Sequence, residues 1–519
     1  MNLASDNAAS YFVDRHRDTP VAGKPAFIES DGQQRSISYA ELSTQSAKMV
    51  DLFARHHINR EDRVALLLLD QIEFPVVFWG ALKAGVIPVP LNTLLATDIY
   101  ATILEDSRAK AVFVSAALLD RLTPILDNHP YIKTVFVVGD DDSGAQTSSF
   151  KSFNTELDLC SEKESVLVSA DETAFWLYSS GSTGQPKGVR HVHGSLLHSF
   201  ETYGQQVLSI HSDDIVYSAA KFFFAYGLGN AMTFPMAVGA TTILLSGRPT
   251  PEVVVQLLNS HSPSIFCGVP TLYAALLAHL ESHPGLLQVN LRRCISAGEA
   301  LPEDVGRNWE AIAGCEILDG VGSTEMLHIF LSNRSGEVVY GTSGVAVPGY
   351  ELRLVNEEGV EVSPGEIGEL LVNGESAASD YWNQRAKSRA TFEGVWTRTG
   401  DKYEKMDDGR YTYCGRTDDM FKVSGIWLSP FEVEQSLVSH PDVLEAAVVP
   451  QRDDDDLEKP KAFVVLKNSA IGQDLTKILK EHVKSSIGQW KYPRWIEFVD
   501  ELPKTATGKI QRFKLRNPV

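Results

Sequence analysis

The sequence predicts an α/β protein. A large N-terminal domain of helix-covered parallel sheet is followed by a β-rich segment and a small α+β domain. Three observations predict this. From Asp62 onward short apolar runs alternate with amphipathic stretches of helical period, the pattern of βαβ units. Between Tyr340 and about Val395 the helical stretches give way to short strand-like runs bounded by glycine. Beyond residues 416–419 the pattern becomes a brief mixture of helix and strand.

The elements follow in order. Residues 63–69, Arg-Val-Ala-Leu-Leu-Leu-Leu, form the continuous apolar run of a strand buried on both faces. Residues 71–84 read as a helix and 86–90 as the next strand. Residues 110–114 and 133–138 repeat the strand signal, with a helix over 116–128 between them. The alternation resumes after Glu172 and runs to about Met326. Residues 365–372 read as an antiparallel strand opened by glycine. In the tail, 431–439 and 475–487 read as helices, and 446–449 and 461–466 as strands. The boundary is expected at 417/418, giving domains 1–417 and 418–519. No internal repeat is visible.

The 519 residues are enough for about three domains, or one large and one small. Hydrophobic residues make up 43% and charged residues 22%, which excludes a disordered or collagen-like chain. A net charge of −20 argues against nucleic acid or an anionic membrane as a partner. The five cysteines show no C-x-x-C spacing and read as reduced thiols of a cytoplasmic protein. Residues 1–17 are polar and do not resemble a signal peptide. Residues 222–247 carry no charge, but their glycines and proline point to a buried loop, helix and strand rather than a membrane span. The acidic runs at 140–142 and 453–456 read as solvated turns.

The chemistry concentrates first in Ser179-Ser180-Gly181-Ser182-Thr183-Gly184-Gln185-Pro186-Lys187-Gly188. Glycines let backbone N–H groups turn toward an anion, hydroxyls add donors, and Lys187 adds charge. This suits a triphosphate. It is not a Walker loop, because glycine rather than serine or threonine follows the lysine. An ordinary flexible surface loop is the competing reading.

That run resembles the signature loop of the adenylate-forming superfamily, which includes acyl- and aryl-CoA synthetases. Four further matches follow in the family's order: Gly322-Ser323-Thr324-Glu325, Thr399-Gly400-Asp401, Gly415-Arg416-Thr417-Asp418-Asp419, and Pro503-Lys504-Thr505-Ala506-Thr507-Gly508-Lys509. The resemblance implies the adenylate-forming enzyme fold, with a mobile C-terminal domain, and a reaction in two halves. A carboxylate attacks the α-phosphate of ATP and releases pyrophosphate. The thiol of coenzyme A then attacks the acyl-adenylate and releases AMP.

The resemblance also implies residue roles. Lys509 supplies positive charge where carboxylate and α-phosphate meet. Thr324 bonds the α-phosphate and Glu325 binds Mg2+, for which one carboxylate plus phosphate oxygens is enough. Asp401 accepts from the ribose hydroxyls and Arg416 holds ribose or phosphate, although an ion pair between surface residues would explain both. Gly298, Glu299 and Ala300, with Asp319, form the adenine side. Many relatives stack an aromatic residue on adenine where this chain has Val321, so apolar and backbone contact is expected instead. Asp418 is the hinge. Rotation about it brings Lys422, Ser424, Gly425 and Trp427 to coenzyme A, with ordinary packing as the competing role of Trp427.

Residues 221–230 and 319–333 resemble the benzoate–CoA ligase subgroup. By that resemblance Phe224, Ala225, Tyr226, His328 and Ile329 line a ring pocket for a small aromatic carboxylic acid. The expected activity is an ATP-dependent aryl-CoA ligase, acting as monomer or homodimer. A cinnamate or fatty-acid ligase, a carrier-loading adenylation domain and a non-catalytic nucleotide-binding protein are the rivals.

Overall fold

The computed structural model describes residues 7–127, 129–139, 150–180, 186–423, 426–453, 457–467, 475–488, 490–504 and 510–516. By packing, the chain divides into two compact units. The first is Met1–Glu351 with Val372–Thr397, and the second is Leu352–Leu371 with Arg398–Val519.

The first unit holds a nine-stranded sheet. From edge to edge it runs Val345–Ala346, Ile329–Ser332, Ile317–Gly322, Arg293–Ser296, Ile265–Gly268, Ile215–Ser218, Thr241–Leu244, Pro25–Glu29 and Ser36–Ser38. The six strands from Ile317–Gly322 through Pro25–Glu29 are parallel, and the outer strands are antiparallel. The inner strands are almost wholly buried, so their apolar runs are continuous rather than alternating. A second sheet, fully parallel, runs Ile87–Pro90, Arg63–Leu67, Ala111–Ser115, Thr134–Val138 and Phe150–Ser152.

The expected elements are present, with shifted ends. The strand begun at Arg63 stops at Leu67, and the following helix is Glu73–Ala84. Gly85 ends that helix at φ +69°, a left-handed stop that glycine takes without strain. The helix expected over 116–128 is Ala116–Leu126. The uncharged stretch 222–247 resolves into helix Ala225–Leu228, π-helical turn Gly229–Thr233, helix Phe234–Val238 and strand Thr241–Leu244. Among the described residues no helix is long and apolar enough to cross a membrane. All five cysteines are free, and four are buried.

In the second unit, Val443–Arg452 pairs antiparallel with Glu458–Leu466, which pairs parallel with Trp495–Phe498. Helices Pro430–Val438 and Leu475–Ile487 cover this sheet through Leu437, Leu479 and Val483, packed with Val448 and Val464. The strand expected over 365–372 is Ile367–Asn373. Residues 140–142 and 454–456 of the acidic runs lie outside the described residues. Asp453 accepts from the Leu457 amide at 2.9 Å, as a turn residue does. Asp418, the expected hinge, falls inside this unit, in the turn between strands Tyr411–Arg416 and Phe421–Val423.

Candidate active site

The nine-stranded sheet positions the site. Strand Ile215–Ser218 lies between Thr241–Leu244 and Ile265–Gly268, so the connections before and after it leave in opposite directions. At such a switch point the strand ends open a crevice that takes ligands. The segments leaving Ile215–Ser218, Arg293–Ser296 and Ile317–Gly322 carry Phe224 to Tyr226, Gly298 to Ala300, and Thr324 with Glu325.

The phosphate loop is not a strand-to-helix loop. It joins antiparallel strands Thr173–Ser180 and Pro186–Val192, with Ser179 opposite Lys187. No helix N-terminus stands behind it, so donors must come from the loop and Lys187. Gly181, Ser182, Thr183 and Gly184 lie outside the described residues, as does the side chain of Ser180. Ser179 Oγ is buried and has no hydrogen-bond partner among the described residues. Tyr178 donates to Asp106 at 2.5 Å and anchors the hairpin beside the loop.

Lys187 and Glu325 meet. The lysine Nζ lies 3.4 Å from Glu325 Oε1 and 3.3 Å from the Tyr381 hydroxyl. Tyr381 itself donates to the same Oε1 at 2.7 Å. Burial alone would raise the Glu325 carboxyl, but Lys187 and the Tyr381 hydrogen bond hold it below its ordinary value. Glu325 stands in a turn, not at the helix start that its neighbours would suggest without the motif. His191 Nε2 donates to the Thr324 carbonyl at 2.8 Å, and burial pushes its imidazole down to about 4. It is therefore a neutral donor that fixes the backbone of Thr324.

Tyr381 and His191 escaped the sequence reading. His191 had one weak signal, an inward position on an alternating strand. Tyr381 had none, because its role depends on a partner 56 residues away.

The donor set suits a magnesium ion held jointly with a nucleotide. Among the described residues no group of three or more His, Cys, Asp or Glu could enclose a metal. One ionised carboxylate beside a phosphate-binding lysine matches the preference of Mg2+ for one or two carboxylates plus phosphate oxygens.

On the adenine side, Asp319 is 5% exposed, and burial raises its carboxyl to about 8. Gly298 takes φ +99° in an exposed turn, with Glu299 and Ala300 half-buried after it. Val321 is half-buried and pairs with Leu331.

The acid-pocket residues also converge. The Tyr226 hydroxyl donates to the Gly268 carbonyl at 3.0 Å, with Ile295 O at 3.3 Å, so it reaches across the switch point. His328 is 2% exposed, and its ring lies 5.8 Å from Tyr226, 5.0 Å from Tyr203 and 4.6 Å from Phe234. Neither of its ring nitrogens has a hydrogen-bond partner among the described residues, and burial pushes the imidazole down to about 3. Ile329 is buried next to it. Phe224 caps the short helix that carries Ala225 and Tyr226. Asp70 accepts from the Phe222 amide at 3.2 Å and fixes the start of this segment, a contact the sequence gave no sign of.

In the second unit, Asp401 and Arg416 sit opposite each other on antiparallel strands. Arg416 Nη1 donates to Asp401 Oδ1 at 2.9 Å and to the Thr399 carbonyl at 3.0 Å. The ion-pair reading of these two residues therefore holds in this structure, and it leaves Asp401 charged beside a cation. Asp418 is exposed, and its carbonyl accepts from Arg516 at 3.2 Å. Lys422 and Trp427 oppose each other in a two-stranded ribbon. Their side chains lie outside the described residues, as do Ser424, Gly425 and Lys509.

A triphosphate loop, an ionised carboxylate and a closed aromatic pocket along one set of strand ends define a nucleotide-dependent acid-activating site. The chain matches the AMP-binding enzyme family over residues 13–382 and the AMP-binding enzyme C-terminal domain over residues 432–509. It belongs to that family and has the adenylate-forming fold. A 4-hydroxybenzoate–CoA/benzoate–CoA ligase of Rhodopseudomonas palustris is 51% identical, over 99% of this chain and 95% of its own. A benzoate–CoA ligase of Thauera aromatica is 51% identical, over 98% of this chain and 96% of its own. The crystal structure of a benzoate CoA ligase from Burkholderia xenovorans LB400 superposes with a TM-score of 0.89 at 46% identity, covering 98% of this chain and all of that one (100%).

Proposed function

We propose that this enzyme is an ATP-dependent aryl-CoA ligase that activates benzoate or a small substituted benzoate. The observation that carries the reading is one turn. Glu325, paired with Lys187, and His328, in its aromatic surround, are three residues apart, so phosphate chemistry and a ring-sized pocket share a wall. The near-full-length likeness to benzoate–CoA ligases supports it.

The reaction follows from the residues. The acid's carboxylate oxygen attacks the α-phosphorus, and the bond to pyrophosphate breaks. Both reactants are anions, so positive charge placed in advance lowers the barrier. Lys187 meets the leaving phosphates, Lys509 bridges carboxylate and α-phosphate, and Thr324 holds the α-phosphate. Magnesium, when bound through Glu325, neutralises charge on the phosphate oxygens. Asp401 and Arg416 hold the ribose, while Asp319 and residues 298–300 face adenine. Phe224, Ala225, Tyr226, His328 and Ile329 enclose the ring. The second half needs a thiol in place of Lys509. Rotation of residues 418–519 about Asp418 exchanges Lys509 for Lys422, Ser424, Gly425 and Trp427, and the thiolate then displaces AMP from the carbonyl carbon.

Pyrophosphate release from ATP and Mg2+ across a panel of acids, with and without coenzyme A, tests this. Benzoate and its hydroxy and amino derivatives are expected to support CoA-dependent turnover above cinnamate, hexanoate and acetate. Preference for hexanoate or cinnamate would discard the pocket and keep the ligase. No release with any acid would favour a non-catalytic nucleotide-binding role.

A further inference from the structure

One short segment holds Glu325 at both its backbone and its side chain. The Ala378 amide donates to the Glu325 carbonyl at 2.7 Å, and Ser376 Oγ donates to the Met326 carbonyl at 2.8 Å. Three residues on, the Tyr381 phenol donates to Glu325 Oε1 at 2.7 Å. The same ring carries the phosphate-loop lysine, whose Nζ stands 4.4 Å from the ring centroid.

The register makes this arrangement rigid. Strand Asp380–Tyr381 pairs antiparallel with Pro186–Val192, setting Tyr381 opposite Val189 and Asp380 opposite Arg190. Arg190 grips Asp380 with a two-pronged contact of 2.5 and 2.6 Å, a geometry that fixes both side chains. Tyr381 is 4% exposed, buried with Val189 and Ala378, and its ring lies 5.3 Å from Phe392.

We propose that Tyr381 is a positioning residue that aims the Glu325 carboxylate at the divalent cation and keeps Lys187 beside it. The inference rests on Glu325 being the metal carboxylate. A metal-binding carboxylate is oriented by the hydrogen bonds its own oxygens receive, and loss of such a partner costs roughly 10–100-fold in metal affinity or activity. The phenol places that bond on Oε1. One ring then supports the group for the metal and the group for the phosphates, so the two move together as the nucleotide enters. A phenol that merely found an acceptor for its buried hydroxyl would not discriminate between metal-bound and metal-free nucleotide.

The test is Tyr381→Phe, which removes one oxygen and keeps the ring. Manganese is the probe. Binding of Mn2+ in the presence of ATP and absence of acid is read from the free-ion paramagnetic resonance signal. ATP binding in EDTA is read by equilibrium dialysis. The variant should bind Mn2+·ATP about tenfold more weakly than the parent, and metal-free ATP equally well. Equal weakening in both conditions, or no change in either, would overturn the proposal. Glu325→Gln, measured alongside, separates this from failure of the underlying reading. If Mn2+·ATP binding is unchanged in Glu325→Gln, the carboxylate is not the metal ligand. If it is weakened there but not in Tyr381→Phe, only the role of Tyr381 falls. Should Tyr381→Phe not fold, 3-fluorotyrosine at 381 gives a second readout. Its fluorine resonance should move further with Mg2+·ATP than with ATP in EDTA, and identical shifts would overturn the proposal.

Discussion

Asp319 illustrates what burial does to a single residue. Its carboxyl stands at about 8 in the fold, against an ordinary value of 3.8. The folded state therefore favours the protonated form. The sign follows: the associated stability is fully present below about 4 and is lost as pH rises toward about 8. Asp319→Asn cannot ionise. Its melting temperature should exceed that of the parent by a margin that grows between pH 5 and pH 8, as calorimetry would show. Parallel curves would mean another group carries the pH dependence. At this scale the motif residues were legible because each belongs to a run of fixed local spacing. Tyr381, His191 and Asp70 were not, since their hydrogen bonds reach 56, 133 and 152 residues along the chain.

Among the elements, the charge-free stretch leading to strand Thr241–Leu244 has the most consequence for specificity. Its π-helical turn Gly229–Thr233 lies against the ring pocket. A Cβ at Gly229 would meet His328 Cδ2 at 2.4 Å and Nε2 at 2.8 Å. Both the turn and His328 are buried, so neither moves freely, and overpacking of this kind costs about 1–3 kcal/mol. Gly229→Ala should raise the KM for benzoate about tenfold, matching 1.4 kcal/mol of lost binding, and leave ATP binding unchanged. Equal effects on both ligands would show that the turn supports the sheet and not the pocket. Sequence periodicity located the elements here, but not the π-helical turn, because the pattern of apolar residues is nearly the same for α and π winding over so few residues.

For the whole molecule, the two-stage reaction gives the sharpest expectation. Lys509 acts in adenylation alone if residues 418–519 rotate between half-reactions. Lys509→Ala should lose at least about a hundredfold in pyrophosphate release, as expected for removal of one preorganised charge-stabilising group. It should still form thioester from supplied benzoyl-adenylate and coenzyme A. Equal loss in both assays would remove Lys509 from its assigned half-reaction. The proposed hinge at Asp418 lies within the second packing unit, which begins with residues 352–371 and resumes at 398. A hinge follows where backbone dihedrals can change, whereas a packing unit follows where side chains interlock, so the two boundaries need not coincide.

By itself the sequence determined the fold class, the family, the phosphate loop and the order of the catalytic motifs. These rest on local properties: apolar period, glycine and hydroxyl spacing, and short runs of charge. Tertiary structure alone decided that the phosphate loop crowns an antiparallel hairpin, that Asp401 pairs with Arg416, and that Tyr381 and His191 secure Glu325 and Thr324. Each of these depends on strand register and sheet order. A slip of one residue would turn Tyr381 to the opposite face, although the local sequence would read the same.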